Sequence, residues 1–425
     1  MNGWPADAIM CRPDDPSNYR QAGVRRVERK HSKNVRATDV VTRPLRAIVA
    51  IPIFNEVERI EGCLKSVSGQ EGLGASGLGA LLFLNNCTDG TGQVVASLRN
   101  GLGIPVRVVE RTFAGANAGW ARREAMEAAA AWLEEAGAAD GVLLTTDADT
   151  RVPPDWVARN LAIIAEGIDA VAGQITLDSD DAVRLPDALH ARGQREGAYE
   201  ALLVELEAWI DPLPHDPWPR HWTTSGATLA VRLATYRQVG GMPALAVGED
   251  RAFVSSLLGS DARVRHEPGV SVVTSGRLEG RAPGGAADTM RLRCAMPDSP
   301  CDPRLEPLPR ALFRFAWRRR LRGLHASGRI GRTRLWAPWL GIGSEAATVI
   351  ARGGSLGLIL AAVECTSPHL AYRPLRPSQL PGQIRLAEAL LMALRRCSRL
   401  RAALQRPEPA SAALLPSPAD GAGHA

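Results

Sequence analysis

Residues 45–54 form a short, β-branched apolar run closed by Pro52 and Asn55, and residues 56–68 then change period, with Ile60, Leu64 and Val67 at helical spacing. The spacing predicts strand, turn, helix. A second unit repeats it, with a strand over 80–84, a turn at Asn85-Asn-Cys-Thr-Asp89-Gly90-Thr91 and a helix over 92–99. A third strand at 106–109, an Ala-rich helix at 119–136 and a fourth strand at 141–146 complete the alternation, and that fourth strand ends in Asp147-Ala-Asp149. Alternating β and α units of this length predict an α/β fold, a mostly parallel sheet with helices on both faces.

Further on, residues 155–166 read as helix, 170–177 as strand and 186–210 as a long helix carrying Leu189, Leu202, Leu203, Leu206 and Ile210. The Pro-rich stretch 211–220 breaks it. A lead-in at 224–230 enters a helix at 232–239, which Gly240-Gly241 ends. A helix at 251–258 and a strand at 270–274 close this unit. Beyond about residue 289 the chain turns into Arg-rich helical segments. The expected organisation is a basic, disordered leader (1–44), a catalytic unit (45–290), a basic helical extension (291–406) and a disordered tail (407–425).

Composition sharpens this picture at three points. With 425 residues, 45% of them hydrophobic and 23% charged, the chain can bury a large core. Charge is unevenly placed: residues 47–302 carry 22 basic and 34 acidic groups, whereas residues 303–407 carry 19 and 4, so an acidic centre adjoins a basic extension. Seven cysteines at 11, 63, 87, 294, 301, 365 and 397, without C-x-x-C pairs, argue against a disulfide framework and a structural zinc site. No signal peptide or membrane-spanning run is expected, which places the protein in the cytoplasm, and nothing suggests a nucleic-acid partner.

Candidate chemistry gathers at the carboxyl ends of the predicted strands, where open α/β sheets bind ligands. There stand Asn55-Glu56, Asn85 to Asp89 and Asp147-x-Asp149. In a strand, residues i and i+2 face the same side, so Asp147 and Asp149 can offer hard oxygen ligands to one Mg²⁺ or Mn²⁺ while Ala148 faces away. An Asp-rich turn is the alternative. The Asn and Asp side chains of the first two turns can hydrogen-bond a base and ribose, or simply make the turns. No G-x-G-x-x-G follows the first strand, and no G-x-x-x-x-G-K-[ST] phosphate loop is present.

Taken in order, Ile51-Pro52-Ile-Phe-Asn55-Glu56, Asn85 to Thr91, Gly119-Trp-Ala-Arg122-Arg123, Thr146 to Thr150, Ser225-Gly226-Ala227 and Gly240-Gly241 followed by Gly248-Glu249-Asp250 resemble the family 2 glycosyltransferases. The resemblance covers residues 45–285. It implies the nucleotide-diphospho-sugar transferase (GT-A) fold, an inverting hexosyltransferase-like activity, a nucleotide-diphosphate sugar donor and a hydroxyl acceptor of a bacterial glycan, glycolipid or glycoconjugate. Position by position it places Pro52, Glu56 and Asp89 around the nucleoside, Arg122 near the diphosphate, Asp147 and Asp149 at ribose and metal, and Asp250 as the base. Gly226 belongs to the expected donor site through its motif. Two departures stand out. Asn85 occupies a position where the family commonly has Asp reading the base, and Arg123 one where Asn is frequent.

Glu249 and Asp250 open a predicted helix, where a carboxylate is stabilised as its anion and a second one beside it raises proton affinity; ordinary N-capping explains the pair equally simply. The segment Thr274-Ser-Gly-Arg277-Leu-Glu-Gly-Arg281 reads either as a flexible loop closing Arg277 over a diphosphate or as a surface turn. His221 and His266 are candidate third metal ligands. Trp218, His221 and Trp222, with the helix at 186–210, are expected to shape the acceptor pocket. Phe313, Phe315 and Trp317 beside Arg318–Arg320, and the helix at 384–404, suggest peripheral association with the inner face of a membrane, or else packing on the acidic unit. Rival functions are a non-catalytic nucleotide-sugar-binding or scaffold protein of the same fold and a sugar-phosphate nucleotidyltransferase, the latter lacking its phosphate loop.

Overall fold

The computed structural model describes residues 44–73, 77–115, 117–280 and 284–404. Arg281, the expected tail and all but the last residue of the expected leader lie outside the described residues.

The first half alternates strand and helix: β1 (Leu45–Ile53), α1 (Ile60–Ser68), β2 (Gly77–Asn85), α2 (Thr91–Leu98), β3 (Val106–Arg111), α3 (Ala118–Glu135), β4 (Val142–Thr145), α4 (Trp156–Ala165) and β5 (Ala170–Leu177). Then come α5 (Ser179–Val183), α6 (Asp187–Ile210), β6 (Leu229–Arg232), α7 (Leu233–Gln238), α8 (Glu249–Gly259), β7 (Val264–Thr274) and α9 (Ala286–Ala295). The remaining helices are α10 (Leu308–Ala326), α11 (Ser344–Ile350), α12 (Leu356–Thr366) and α13 (Leu380–Leu404).

All seven strands form one sheet in the order β3-β2-β1-β4-β6-β5-β7. β3, β2, β1 and β4 run parallel to one another, and β7 is parallel to β5. β6 is the exception: the segment expected only as a lead-in pairs antiparallel with both β4 and β5. It is four residues long, and its apolar Leu229, Ala230 and Val231 are buried between two strands, so burial makes it a strand where length hides it from a periodicity search.

β1 explains the layering. Its run Ala47–Ile51 is buried on both faces, as central parallel strands require. Val49 and Ile51 pack with Ile60 and Leu64 of α1 and with Trp156 of α4, while Ile48 and Ala50 pack with α3, α7 and α8 on the opposite face. On α3, Ala121, Ala125 and Ala129 are buried, and side chains this small let the helix lie close to the sheet.

The basic extension folds onto α6. Tyr199, Leu203 and Leu206 share a core with Leu308, Ala311 and Phe315 of α10 and with Leu380, Ala387 and Leu391 of α13, and the Tyr199 hydroxyl donates to the carbonyl of Glu306 (2.8 Å). Charge complementarity completes the joint. Arg318 bonds Glu207 and Glu364, Arg314 bonds Glu306, Arg322 bonds Asp211 and Arg395 bonds Glu205. Phe315 and Trp317 are buried, leaving Phe313 exposed, so the alternative of packing against the acidic unit is the one α10 adopts. No helix among the described residues is long and apolar enough to cross a membrane. Cys63, Cys87, Cys294, Cys301 and Cys397 are free thiols; Cys365 is disulfide-bonded, which the scattered cysteine spacing does not predict.

Candidate active site

The turns after β1 and β2 are knitted to one another. Asn55, held at φ 52°, accepts from the Thr88 N–H (2.7 Å), Asp89 accepts from the Val57 N–H (3.2 Å), and the Glu56 N–H donates to the Thr91 hydroxyl (2.9 Å). Asp89 also accepts from the Thr91 N–H (3.1 Å) and hydroxyl. Both Asn55 and Asp89 are therefore turn-forming residues here, and half-buried Pro52 lies at the end of β1 beside them. Asn85 differs: it is buried at the end of β2 and its Oδ1 has no hydrogen-bond partner among the described residues, a condition that costs free energy unless something fills it.

β4 stops at Thr145, so Asp147 and Asp149 sit not in a strand, as expected, but in the turn after it, which the Thr150 N–H closes onto the Asp147 carbonyl (3.1 Å). Ala148 still faces the core. The two carboxylates have different neighbours. Asp147 accepts from Arg122 Nη2 at 2.6 Å. Asp149 lies 3.2 Å from Arg277 Nη2, and the same guanidinium grips both oxygens of the buried Glu56, through Nη1 at 3.0 Å and through Nη2. Burial, and next the carboxylates of Asp147 and Glu56, push the Asp149 carboxyl up to about 7. Arg277 and then Arg59 oppose that shift and are outweighed.

Arg277 reaches this position because its loop is tethered. Asp181, buried on α5, accepts from the Ser275 hydroxyl (2.9 Å), the Gly276 N–H (2.9 Å) and Arg59 (2.8 Å). Thr274 Oγ1 accepts from Thr150 Oγ1 (2.9 Å), tying the end of β7 to the aspartate turn. No sequence pattern singles out Asp181 or Arg59. Only the loop they hold, with its glycines and arginine, is visible beforehand.

Arg122 is the buried hub on the opposite side. Its Nε donates to Glu249 Oε1 (2.9 Å), Nη1 to the Thr145 hydroxyl (3.0 Å) and the Gly226 carbonyl (3.0 Å), and Nη2 to Asp147. Burial opposes its charge, but Asp147 and Glu249 outweigh that and hold the guanidinium more firmly protonated. Gly226 is needed for the approach: a Cβ there would lie 2.5 Å from Arg122 Cζ. The Gly226 N–H in turn donates to Asp250 Oδ2 (3.0 Å). Thus α8 splits the expected pair, turning Glu249 inward onto Arg122 and leaving Asp250 half-buried at the helix start, which Gly248 enters at φ 76°.

The structure brings Glu56, Asp147, Asp149, Arg122, Gly226, Glu249, Asp250 and Arg277 into one connected array and leaves the two histidines outside it. His266 lies eight positions before Thr274 on β7, bonded to Asp216, and His221 packs edge-on against it (5.7 Å between ring centroids). His221 is buried and His266 half-buried near the start of β7, the end of that strand opposite Thr274, which joins the aspartate turn. Among the described residues no three His, Cys, Asp or Glu side chains cluster as a complete metal site. Asp147 and Asp149 are the carboxylates of the array that could ligate a divalent cation, and one cationic group, the guanidinium of Arg277, already stands against Asp149.

A mostly parallel sheet flanked by helices, with this array at its strand ends, defines an α/β protein. Residues 48–214 match the model of Glycosyl transferase family 2. Solved structures with related chains include S. aureus TarS 1-349 in complex with UDP-GlcNAc (16% identity, TM-score 0.42, covering 81% of this chain and 88% of that one). With the UDP complex of the same protein the chain spans 59% of its length. Two others are the mannosyltransferase PcManGT from Pyrobaculum calidifontis in complex with GDP-Man and Mn2+ (19%, 0.37, 75% and 86%) and the Mycobacterium tuberculosis glucosyl-3-phosphoglycerate synthase with Mn2+, UDP and phosphoglyceric acid (16%, 0.33, 55% and 72%). A comparison with curated proteins gave no match.

Proposed function

We propose that the protein is an inverting glycosyltransferase that moves a sugar from a nucleotide-diphosphate donor to an acceptor hydroxyl. The observation that carries this reading is the array itself: Asp149, Glu56 and Arg277 on one side, Asp147, Arg122 and Asp250 on the other, drawn from the loops after β1, β4 and β7 and from α3 and α8.

Asp147 and Asp149 would hold Mg²⁺ or Mn²⁺, which when bound supplies positive charge to the leaving diphosphate. Arg277 is the residue positioned to share that work, turning from Glu56 toward the phosphates when a cation takes its place beside Asp149. Arg122 does not itself face the donor; it fixes the direction of Asp147. Asp250, kept in place by the Gly226 N–H, accepts the proton of the acceptor hydroxyl as that oxygen attacks the anomeric carbon from the face opposite the diphosphate. One displacement inverts that carbon. Asn85, with its free buried oxygen, and Pro52 would line the nucleoside.

Titration calorimetry with UDP and GDP tests the reading. Binding is expected with Mn²⁺ or Mg²⁺ and not in excess chelator, and Asp149→Ala is expected to abolish the cation-dependent part. Cation-independent binding that survives in Asp149→Ala overturns the donor site. Transfer is then scored with a panel of nucleotide sugars and acceptors.

A further inference from the structure

Beside the N-terminal half of α10, the segment that follows α12 borders an open surface pocket of about 330 Å³, lined by Pro309, Arg310, Phe313, Pro368, His369 and Arg373. That volume lies in the range of small-ligand sites. We propose that this cavity binds a phosphate group carried on a short carbon skeleton, at a site separate from the sugar-donor array.

The argument begins with charge. Arg310, Arg373 and His369 are three nitrogen bases on one cavity, and no carboxylate lines it. The neighbouring inward-facing arginines are different: Arg314, Arg318 and Arg322 each bond a carboxylate within 3.0 Å. Arg310 reaches only the long limit of an ion pair, 3.7 Å from Glu306 Oε2, because Arg314 already occupies both oxygens of that carboxylate. Its Nη2 is committed to the carbonyls of His369 (3.2 Å) and Ala371 (2.6 Å), which fixes the guanidinium against the cavity wall. Its buried Nε makes no hydrogen bond and has Glu306 at 3.7 Å as its ion-pair contact, so the guanidinium's charge is only loosely balanced.

His369 is fixed as well. Its Nδ1 lies 3.0 Å from the Trp339 carbonyl, which can only accept, so Nδ1 carries the hydrogen and Nε2 is the ring's remaining polar atom. Arg373 is exposed and meets no carboxylate among the described residues, so its fork of donors is available to a bound anion. Phe313, Pro309 and Pro368 supply apolar surface in the same cavity, which favours a phosphate ester over a bare ion. Such a group occurs on a soluble sugar or glycerol phosphate and on the headgroup of an anionic lipid.

The experiment titrates glycerol 3-phosphate and inorganic phosphate into the full chain in chelator, with flotation on phosphatidylglycerol and phosphatidylcholine vesicles alongside. Arg373→Ala and His369→Gln change exposed side chains, and a melting curve for each confirms the fold. Saturable binding of glycerol 3-phosphate, weakened at least tenfold in Arg373→Ala and measurably in His369→Gln, supports a soluble ligand. Flotation on phosphatidylglycerol alone, lost in Arg373→Ala, supports the headgroup source. Binding in neither arm, or binding that both variants leave unchanged, overturns the proposal.

Discussion

Arg122 shows how much a single side chain organises here. A guanidinium with five donors in a fixed fork can satisfy Glu249, Thr145, Gly226 and Asp147 at once, which a lysine cannot. Arg122→Lys is therefore expected to fold less stably and to weaken cation-dependent nucleotide binding, because Asp147 loses its fixed direction. Arg122→Met leaves Glu249 buried without its cation, and breaking a buried pair in this way costs about 3–5 kcal/mol. Chemical denaturation checks this, and adding Glu249→Gln to Arg122→Met should recover part of the stability while leaving nucleotide binding impaired. Asp250→Asn makes the opposite prediction. It keeps an oxygen for the Gly226 N–H, so folding and donor binding persist while transfer falls by about 10²–10⁴. Transfer by Asp250→Asn at the native rate would place the base elsewhere.

At the scale of elements, the parts of the site legible in the sequence are those where a strand ends in polar residues. β1, β2 and β4 are apolar runs with sharp polar ends, and their periodicity locates Asn55, Glu56, Asn85 and the aspartate pair without any coordinates. What those residues do to one another is hidden, because it depends on contacts between segments far apart in sequence. Glu56 meets Arg277 across 221 positions and Arg122 meets Glu249 across 127. β6 escaped for another reason: four buried residues carry too little pattern to distinguish a strand from a lead-in. The tethered loop after β7 is an element-scale device, since Asp181 holds its base through Ser275 and Gly276 while Arg277 holds its tip. Asp181→Ala removes the tether but none of the groups that would touch donor. It should increase protease cleavage within the loop and weaken nucleotide binding moderately, leaving the melting temperature nearly unchanged. A large fall in melting temperature with native nucleotide affinity would show that Asp181 serves the core alone.

For the whole molecule, the charge asymmetry along the chain is a folding instruction: an acidic α6 and a basic extension meet, with their ions paired and an apolar core beneath. Tyr199, Leu203 and Leu206 are fully buried only because α10 and α13 cover them. Each such side chain contributes about 1.5–3 kcal/mol by its burial. A chain shortened to residues 1–300 would expose them together with Glu207, so it should aggregate or melt far earlier than the full chain, and equal melting would show that the extension is dispensable. Acid should act on the same joint through the segment that follows α6. Burial first, and then the neighbouring His266, lower the His221 imidazole to about 4, against an ordinary value of 6.5. The Glu267 backbone carbonyl, as an acceptor, and then Asp216 oppose that shift and are outweighed. The folded state therefore prefers neutral His221, whereas the unfolded chain takes up a proton near 6.5. Its contribution to stability is present in full above pH 6.5 and is lost as the pH falls from there toward 4. Denaturation midpoints measured between pH 8 and pH 4 should decline through this window, and the decline should be shallower in His221→Asn, which keeps an acceptor for the Thr223 N–H but does not titrate. An identical slope in that variant would assign the acid sensitivity to other groups.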